Sequence, residues 1–166
     1  MSDNGIERER KFLVKYLPQG MVEPVRVVQG YFGETPFRVR ALLLPGATEV
    51  TYKNIVVAYL GYKHPVMAAE SREERESRID SKIAEKLLQE CKNNVLHKTR
   101  YNKYVQGNKW EIDVFHGIHE GLVTAEFEFV HNDDESPELP DFLGREVTLD
   151  KEFFNYFLAT SNKATN

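Results

Sequence analysis

Like charges two residues apart recur along this chain, inside segments whose other residues are typical strand formers. "IERERKFLV" (6–14) places Glu7, Glu9 and Lys11 at alternate positions. "FRVRA" (37–41) does so with Arg38 and Arg40, "REERES" (72–77) with Glu74 and Glu76, and "KTRY" (98–101) with Lys98 and Arg100. "WEIDVF" (110–115) pairs Glu111 with Asp113, and "AEFEF" (125–129) pairs Glu126 with Glu128. Successive side chains of a strand point to opposite faces, so charge gathers on one face of each segment. Any one of these strands alone reads as a half-buried strand with a wet polar face. The set reads differently. Like charges on one face repel, and no Ser, Thr or Gln dilutes them.

The chain is expected to be mainly β, in an α+β arrangement. Candidate strands are 6–14, 25–32, 37–44, 48–54, 56–63, 71–79, 97–105, 109–116, 121–130 and 145–149, separated by Gly, Pro or Asn clusters. "LPGAT" (44–48), "VQGNK" (105–109) and "HGIHEG" (116–121) read as turns. A helix is predicted over 80–93, capped by Asp80 or Ser81, with Ile83, Leu87, Leu88 and Cys91 at helical spacing. A second is predicted over 150–159, with Phe153, Phe154, Phe157 and Leu158 as its apolar face. The acidic, proline-bearing segment 131–144 is expected to be a loop. Short turns between so many strands imply an antiparallel sheet that closes into a barrel.

The 166 residues, 41% hydrophobic and 29% charged, suit one globular domain spanning 1–166. A formal charge of −4 argues against a generally basic nucleic-acid binder. No apolar run approaches the roughly 20 residues that span a bilayer, and residues 1–10 hold no apolar signal core. The single cysteine, Cys91, excludes a disulfide within the chain. The location expected is cytoplasmic.

Closure would turn the alternation into chemistry. If the charged faces point inward, Lys11, Arg38, Arg40, Lys98 and Arg100 share an interior with Glu7, Glu9, Glu74, Glu76, Glu111, Asp113, Glu126 and Glu128. Such an interior is costly unless ligands balance it. Guanidinium and ammonium groups match phosphate oxygens, and clustered carboxylates match a hard cation such as Mg2+ or Mn2+. A metal-bound polyphosphate needs both.

In this order along the chain, the motifs resemble the CYTH superfamily, also called triphosphate tunnel metalloenzymes. Glu7, Glu9 and Lys11 match its Glu-x-Glu-x-Lys signature. "VQGYF" (28–32), "FRVRA", "AYLGYKHP" (58–65), "SREERESRI" (71–79), "KTRY", "WEIDVFHG", "GLVTAEFEF" and "GREVTLD" follow in the family's order, and a closing helix with Asn155 ends the match. The similarity runs from about Ile6 to Leu158, and it is greatest to small single-domain bacterial members, several of which act on inorganic tripolyphosphate. Three features depart from the pattern. The stretch 42–57 is long, so Lys53 competes with Lys63 as the family lysine; Lys63 has the better spacing to Arg72 and Glu74. Gly61 stands where a small polar residue is usual. The segment 131–144 is condensed.

The resemblance implies an eight-stranded antiparallel tunnel with a charged interior and helices packed outside. It implies metal-dependent hydrolysis of a triphosphate, with Glu7, Glu9, Glu126 and Glu128 holding Mg2+ or Mn2+, and Glu74 and Glu76 as further ligands. Lys11, Arg38, Arg40, Lys63, Lys98 and Arg100 would hold the phosphate chain. Tyr31 would accept a proton, although a tyrosine of the barrel wall is an equal reading. Glu7, Glu9, Lys11, Lys63 and Tyr31 form the expected catalytic set. The expected partner is a small-molecule triphosphate, with no nucleic acid and no membrane; a homodimer is left open. Two other functions use the same residues: a class IV adenylyl cyclase, and a non-enzymatic module that binds polyphosphate or a nucleotide. His116 and His119 flank a turn with no cysteine cluster, which argues against a structural zinc site.

Overall fold

The computed structural model describes residues 5–64, 70–131 and 134–161. Its strands are β1 (Ile6–Val14), β2 (Val22–Tyr31), β3 (Phe37–Leu43), β4 (Ile55–Lys63), β5 (Ser71–Ile79), β6 (Val95–Val105), β7 (Asn108–Phe115), β8 (Val123–Glu128) and β9 (Leu143–Glu146). Helix α1 is Ser81–Glu90 and helix α2 is Asn155–Thr160. Every strand pairing is antiparallel. The sheet order runs β5-β4-β3-β2-β6-β7-β8-β1, and β1 pairs back onto β5 to close the barrel. One edge of β1 is divided: Ile6–Arg8 pair with β5, whereas Phe12 and Val14 pair with the ninth strand, β9.

The apolar faces of the strands point outward and are covered from outside. Helix α1 lays Ala84, Leu88 and Cys91 on Val28, Val39, Ala41 and Leu43. Asp80 caps it, accepting from the N–H groups of Lys82 (2.9 Å) and Ile83 (3.3 Å). Gly30 lets the helix approach: a Cβ there would meet Cys91 Sγ at 2.6 Å. A second cluster gathers around Trp110, whose ring lies 5.9 Å from Phe12, 5.3 Å from Phe127 and 6.5 Å from Phe142. Phe142 and Leu143 cover it. A third cluster lies across one end. Tyr31, Leu96 and Phe115 follow the inward parity of Gln29, Lys98 and Asp113, and Leu158 and Ala159 of α2 pack on them. Helix α2 therefore closes that end of the barrel, while α1 lies along its side.

Two expectations change. Residues 48–54 are not a strand. Asn54 folds the segment into a turn, donating its side-chain amide to the Glu49 carbonyl (3.0 Å) and its N–H to the Thr51 carbonyl (2.9 Å). Ala47 and Val50 then pack against the α1 cluster, which explains the apolar content of the long link. The closing helix is also broken. Lys151–Phe153 form a 3-10 turn, Phe154 is extended, and α2 starts at Asn155. Among the described residues, no helix is long and apolar enough to cross a membrane.

Candidate active site

The inward faces build a polar cavity of about 210 Å³. Strand β1 contributes Glu7 and Glu9; β3 gives Arg38 and Arg40; β4 gives Lys63; β5 gives Glu74 and Glu76. Lys98 and Arg100 come from β6, Glu111 from β7, Glu126 and Glu128 from β8. Lys11 and Asp113, on the same faces, are buried behind this lining. Lys53 is exposed on the link, whereas the Lys63 amine reaches Glu7 at 2.6 Å, Glu9 at 3.4 Å and Glu74 at 3.7 Å. The structure thus brings all the sequence-selected cations and carboxylates to one interior. Tyr31 is the exception: it is buried beside that interior, outside the lining, with its ring edge-on to Tyr156 at 5.5 Å.

Each cation of the cage is paired within it. Lys11 meets Glu126 (2.9 Å), and one Arg38 nitrogen meets Glu74 and Glu76 (both 2.6 Å). Arg40 donates to Glu76 (2.9 Å) and Lys98 to Asp113 (2.6 Å). Arg100 grips Asp113 through two bonds (2.7 and 2.8 Å), contacts Glu111 and reaches Glu126 at 3.1 Å. Arg72 is bonded to Glu9. Taking charges out of water costs several kcal/mol per ion, and pairing repays this only in part. A hydrophobic core would be the cheaper way to fill a barrel, so the cage points to function.

The balance is uneven. Burial opposes ionisation of Glu126, but Lys11 and Arg100 outweigh it and hold the carboxyl well below the usual range. Asp113 and Glu76 are also lowered against their burial, by Arg100 with Lys98 and by Arg38 with Arg40, respectively. Lys63 ends above its ordinary value: burial and Arg72 disfavour its charge, and Glu7, Glu9 and Glu74 prevail. Two cations end on the other side. Arg40 is lowered by burial and by Arg38. Lys98 is lowered to about 8, because burial and the nearby Arg100 and Lys11 outweigh the carboxylate it shares with Arg100. An anion entering the cavity would relieve both.

Three residues at the cavity carry no site role in the sequence reading, although Arg72 and Asn155 lie in its family match. Arg72 shares the parity of Glu74 and Glu76, and that was the available signal. Gln29 and Asn155 also line the cavity. Neutral amides in apolar runs carry no charge pattern to find them by. Gln29 is 1% exposed, and among the described residues its Nε2 has no hydrogen-bond partner. A buried donor without an acceptor costs about 1–3 kcal/mol, and an anionic oxygen would satisfy it.

The carboxylates suit a hard cation. Glu9 lies directly across from Glu128, and Glu111 across from Glu126, on the inward face. Like charges so placed repel. Glu128, at the rim, is raised by partial desolvation and by Glu7 and Glu111. An oxygen-only donor set of this kind fits Mg2+ or Mn2+. Among the described residues, no three His, Cys, Asp or Glu side chains already converge on a metal position. The carboxylates are instead turned to the lysines and arginines. His119 lies 2.7 Å from the Leu158 carbonyl and His116 lies 2.8 Å from Thr99, so each has its own neighbour.

Known proteins share this architecture. An inorganic triphosphatase from Acetivibrio thermocellus is 32% identical over 155 residues, covering 91% of this chain and 91% of that protein. One from Nitrosomonas europaea is 33% identical over 159 residues, covering 93% and 97%. A solved inorganic triphosphatase superposes with a TM-score of 0.65 at 29% identity, over 95% of this chain and 96% of that one. A putative adenylyl cyclase from Hippeastrum, described as having a dominant triphosphatase activity, matches with a TM-score of 0.50 at 13% identity. It covers 75% of this chain and 80% of that one, a likeness of fold alone. No family model matches the chain.

Proposed function

This chain belongs to the CYTH superfamily, among its inorganic triphosphatases, and we propose that it hydrolyses inorganic tripolyphosphate to diphosphate and phosphate with Mg2+ or Mn2+. The observation that carries the reading is the convergence of Arg38, Arg40, Lys63, Lys98 and Arg100 with the carboxylates on one polar cavity of about 210 Å³. Tripolyphosphate is a compact polyanion and suits a small, polar space.

Arg38, Arg40, Lys63, Lys98 and Arg100 hold the phosphate chain, Lys11 adds its charge from behind the lining, and Gln29 adds a neutral donor. Phosphoryl transfer depends mostly on positioning and charge stabilisation, which such a cage supplies. The cations neutralise the terminal phosphoryl group as water attacks, and they stabilise the diphosphate that leaves. Phosphate oxygens compete with the internal carboxylates for these cations, and so release the carboxylates. Glu7, Glu9, Glu126 and Glu128 would hold the metal, with Glu74 and Glu76 as further ligands. The metal would supply Lewis-acid polarisation and a more acidic water. Tyr31, paired in register with Arg38 and buried behind the lining, is assigned to holding Arg38 in place. An anion-binding module has no use for so many carboxylates, which favours cleavage over mere binding. A net charge of −4 fits neither nucleic acid nor an acidic membrane surface, and the unpaired Cys91 fits a cytoplasmic location.

The test is product analysis with tripolyphosphate, ATP and thiamine triphosphate, each with Mg2+ and with Mn2+, beside a Glu9→Gln variant. The expected result is orthophosphate from tripolyphosphate, reduced about 100-fold or more in the variant. Diphosphate with cyclic AMP from ATP would assign a cyclase instead. A raised melting temperature without turnover would reduce the tunnel to a binding site.

A further inference from the structure

The outer wall of β2 and β6 carries a cationic group that the tunnel does not use. Arg26 on β2 pairs in register with Thr99 on β6, and His97 lies two residues back along β6 on the same outer face. His116, just past β7, donates its N–H to the His97 carbonyl at 2.9 Å. Its ring Nε2 lies 2.8 Å from Thr99 Oγ1. All four side chains are half-buried. The cluster stands between the wall covered by α1 and the wall covered around Trp110.

Among the described residues, none balances the charge of Arg26: no carboxylate pairs with it, and its Nε is buried without a hydrogen-bond partner. The groups facing the two imidazoles are Arg26 from β2, each other from β6 and β7, and Glu120 from the turn that follows. Burial, Arg26 and His116 lower His97. Burial and Arg26 lower His116, against a smaller opposing pull from the exposed Glu120. A guanidinium fork, two imidazoles and a hydroxyl are neighbouring donors on this outer face. That set matches tetrahedral oxyanions, and guanidinium suits phosphate in particular.

We propose that Arg26, His97, Thr99 and His116 form a second anion site on the outside of the barrel, selective for a multiply charged phosphate such as orthophosphate or diphosphate. It lies across the sheet from the cage, since Arg26 and Gln29 point to opposite faces of β2. It does not depend on the chemistry of the tunnel. Binding of diphosphate, which stays multiply charged in this range, strengthens as pH falls and the imidazoles gain protons.

The test is a histidine NMR titration of the full chain in orthophosphate, in diphosphate and in chloride at equal ionic strength. His97→Gln and His116→Gln assign the signals. Phosphate is expected to raise both midpoints by about half a pH unit or more over chloride, because a nearby anion favours the charged imidazole. Arg26→Met should abolish the rise while tripolyphosphate turnover stays unchanged. Arg26→Lys, which keeps a charge, should retain part of it, so the site can be judged even if the methionine variant folds poorly. Equal midpoints in phosphate and chloride, or a full rise persisting in Arg26→Met, would overturn the proposal, whatever the triphosphatase assay shows.

Discussion

Gly61 is a small residue at a crowded position. It lies opposite Glu76, and a Cβ there would come within 2.4 Å of the Arg75 carbonyl oxygen and 2.7 Å of Glu76 Cγ. The backbone oxygen cannot rotate away, and Glu76 is the carboxylate that bridges Arg38 and Arg40. Overpacking of this kind costs about 1–3 kcal/mol, and each kcal/mol is worth about 2–4 °C at this size. Gly61→Ala should therefore melt lower and, by displacing Glu76, lose about 10-fold or more in kcat/KM on tripolyphosphate. A variant that melts and turns over like the parent would show that β5 yields freely here. Gly61 also marks a limit of sequence reading. Parity placed Lys11, Arg38 and Glu126 inside because a strand has only two faces. Parity gives no distance between neighbouring strands, so the crowding at Gly61 was not legible.

At the level of elements, α1 rests on a cap and a close approach. Removing an N-cap aspartate costs about 0.5–2 kcal/mol, so Asp80→Ala should lower the melting temperature by a few degrees and leave turnover intact. Gly30→Ala should cost more, because the added methyl meets Cys91 Sγ at 2.6 Å and Leu88 Cδ2 at 3.1 Å. Cys91→Ala removes the nearest of these atoms, so the double variant should melt higher than the sum of the single losses predicts. Strict additivity in a thermal double-mutant cycle would mean that the helix shifts as a unit to make room. Helix α1 was legible because its apolar spacing and its cap agree. The link over 48–54 was not. Val50 and Tyr52 alternate with polar residues as a strand would, yet the Asn54 side chain turns the backbone locally. Helix α2 was misjudged for a related reason. Phe153 and Phe154 belong to the turn that leads into it, and the run of aromatic residues hid the break at Phe154.

The whole molecule is a barrel with its core turned inside out, and its stability is tied to protonation accordingly. Apolar burial sits on the outside, under α1 and around Trp110, while the centre is held by ion pairs. The folded state lowers the carboxyls of Glu76, Asp113 and Glu126 below ordinary values of 4.5, 3.8 and 4.5. A lowered folded value means that the unfolded chain binds protons first as pH falls, so folding loses free energy there. The stability from these three groups is complete above the unfolded values, near pH 4 to 5. It drains as pH falls through their lower folded values. Glu128 runs the other way, since its folded value is raised, but it is outnumbered by these three and by Glu146, which its hydrogen bond from Arg10 lowers. The melting temperature should thus decline gently below about pH 7, as the unfolded chain protonates His97 and His116 first, and fall steeply below about pH 4. Glu126→Gln should start lower, because Lys11 loses its partner, and its acid limb should be shallower because one linked proton is gone. Melting curves of both proteins from pH 6 down to about 2.5 decide the matter. Parallel acid limbs would mean that Glu126 takes up no extra proton on unfolding, and that acid acts elsewhere than on the cage.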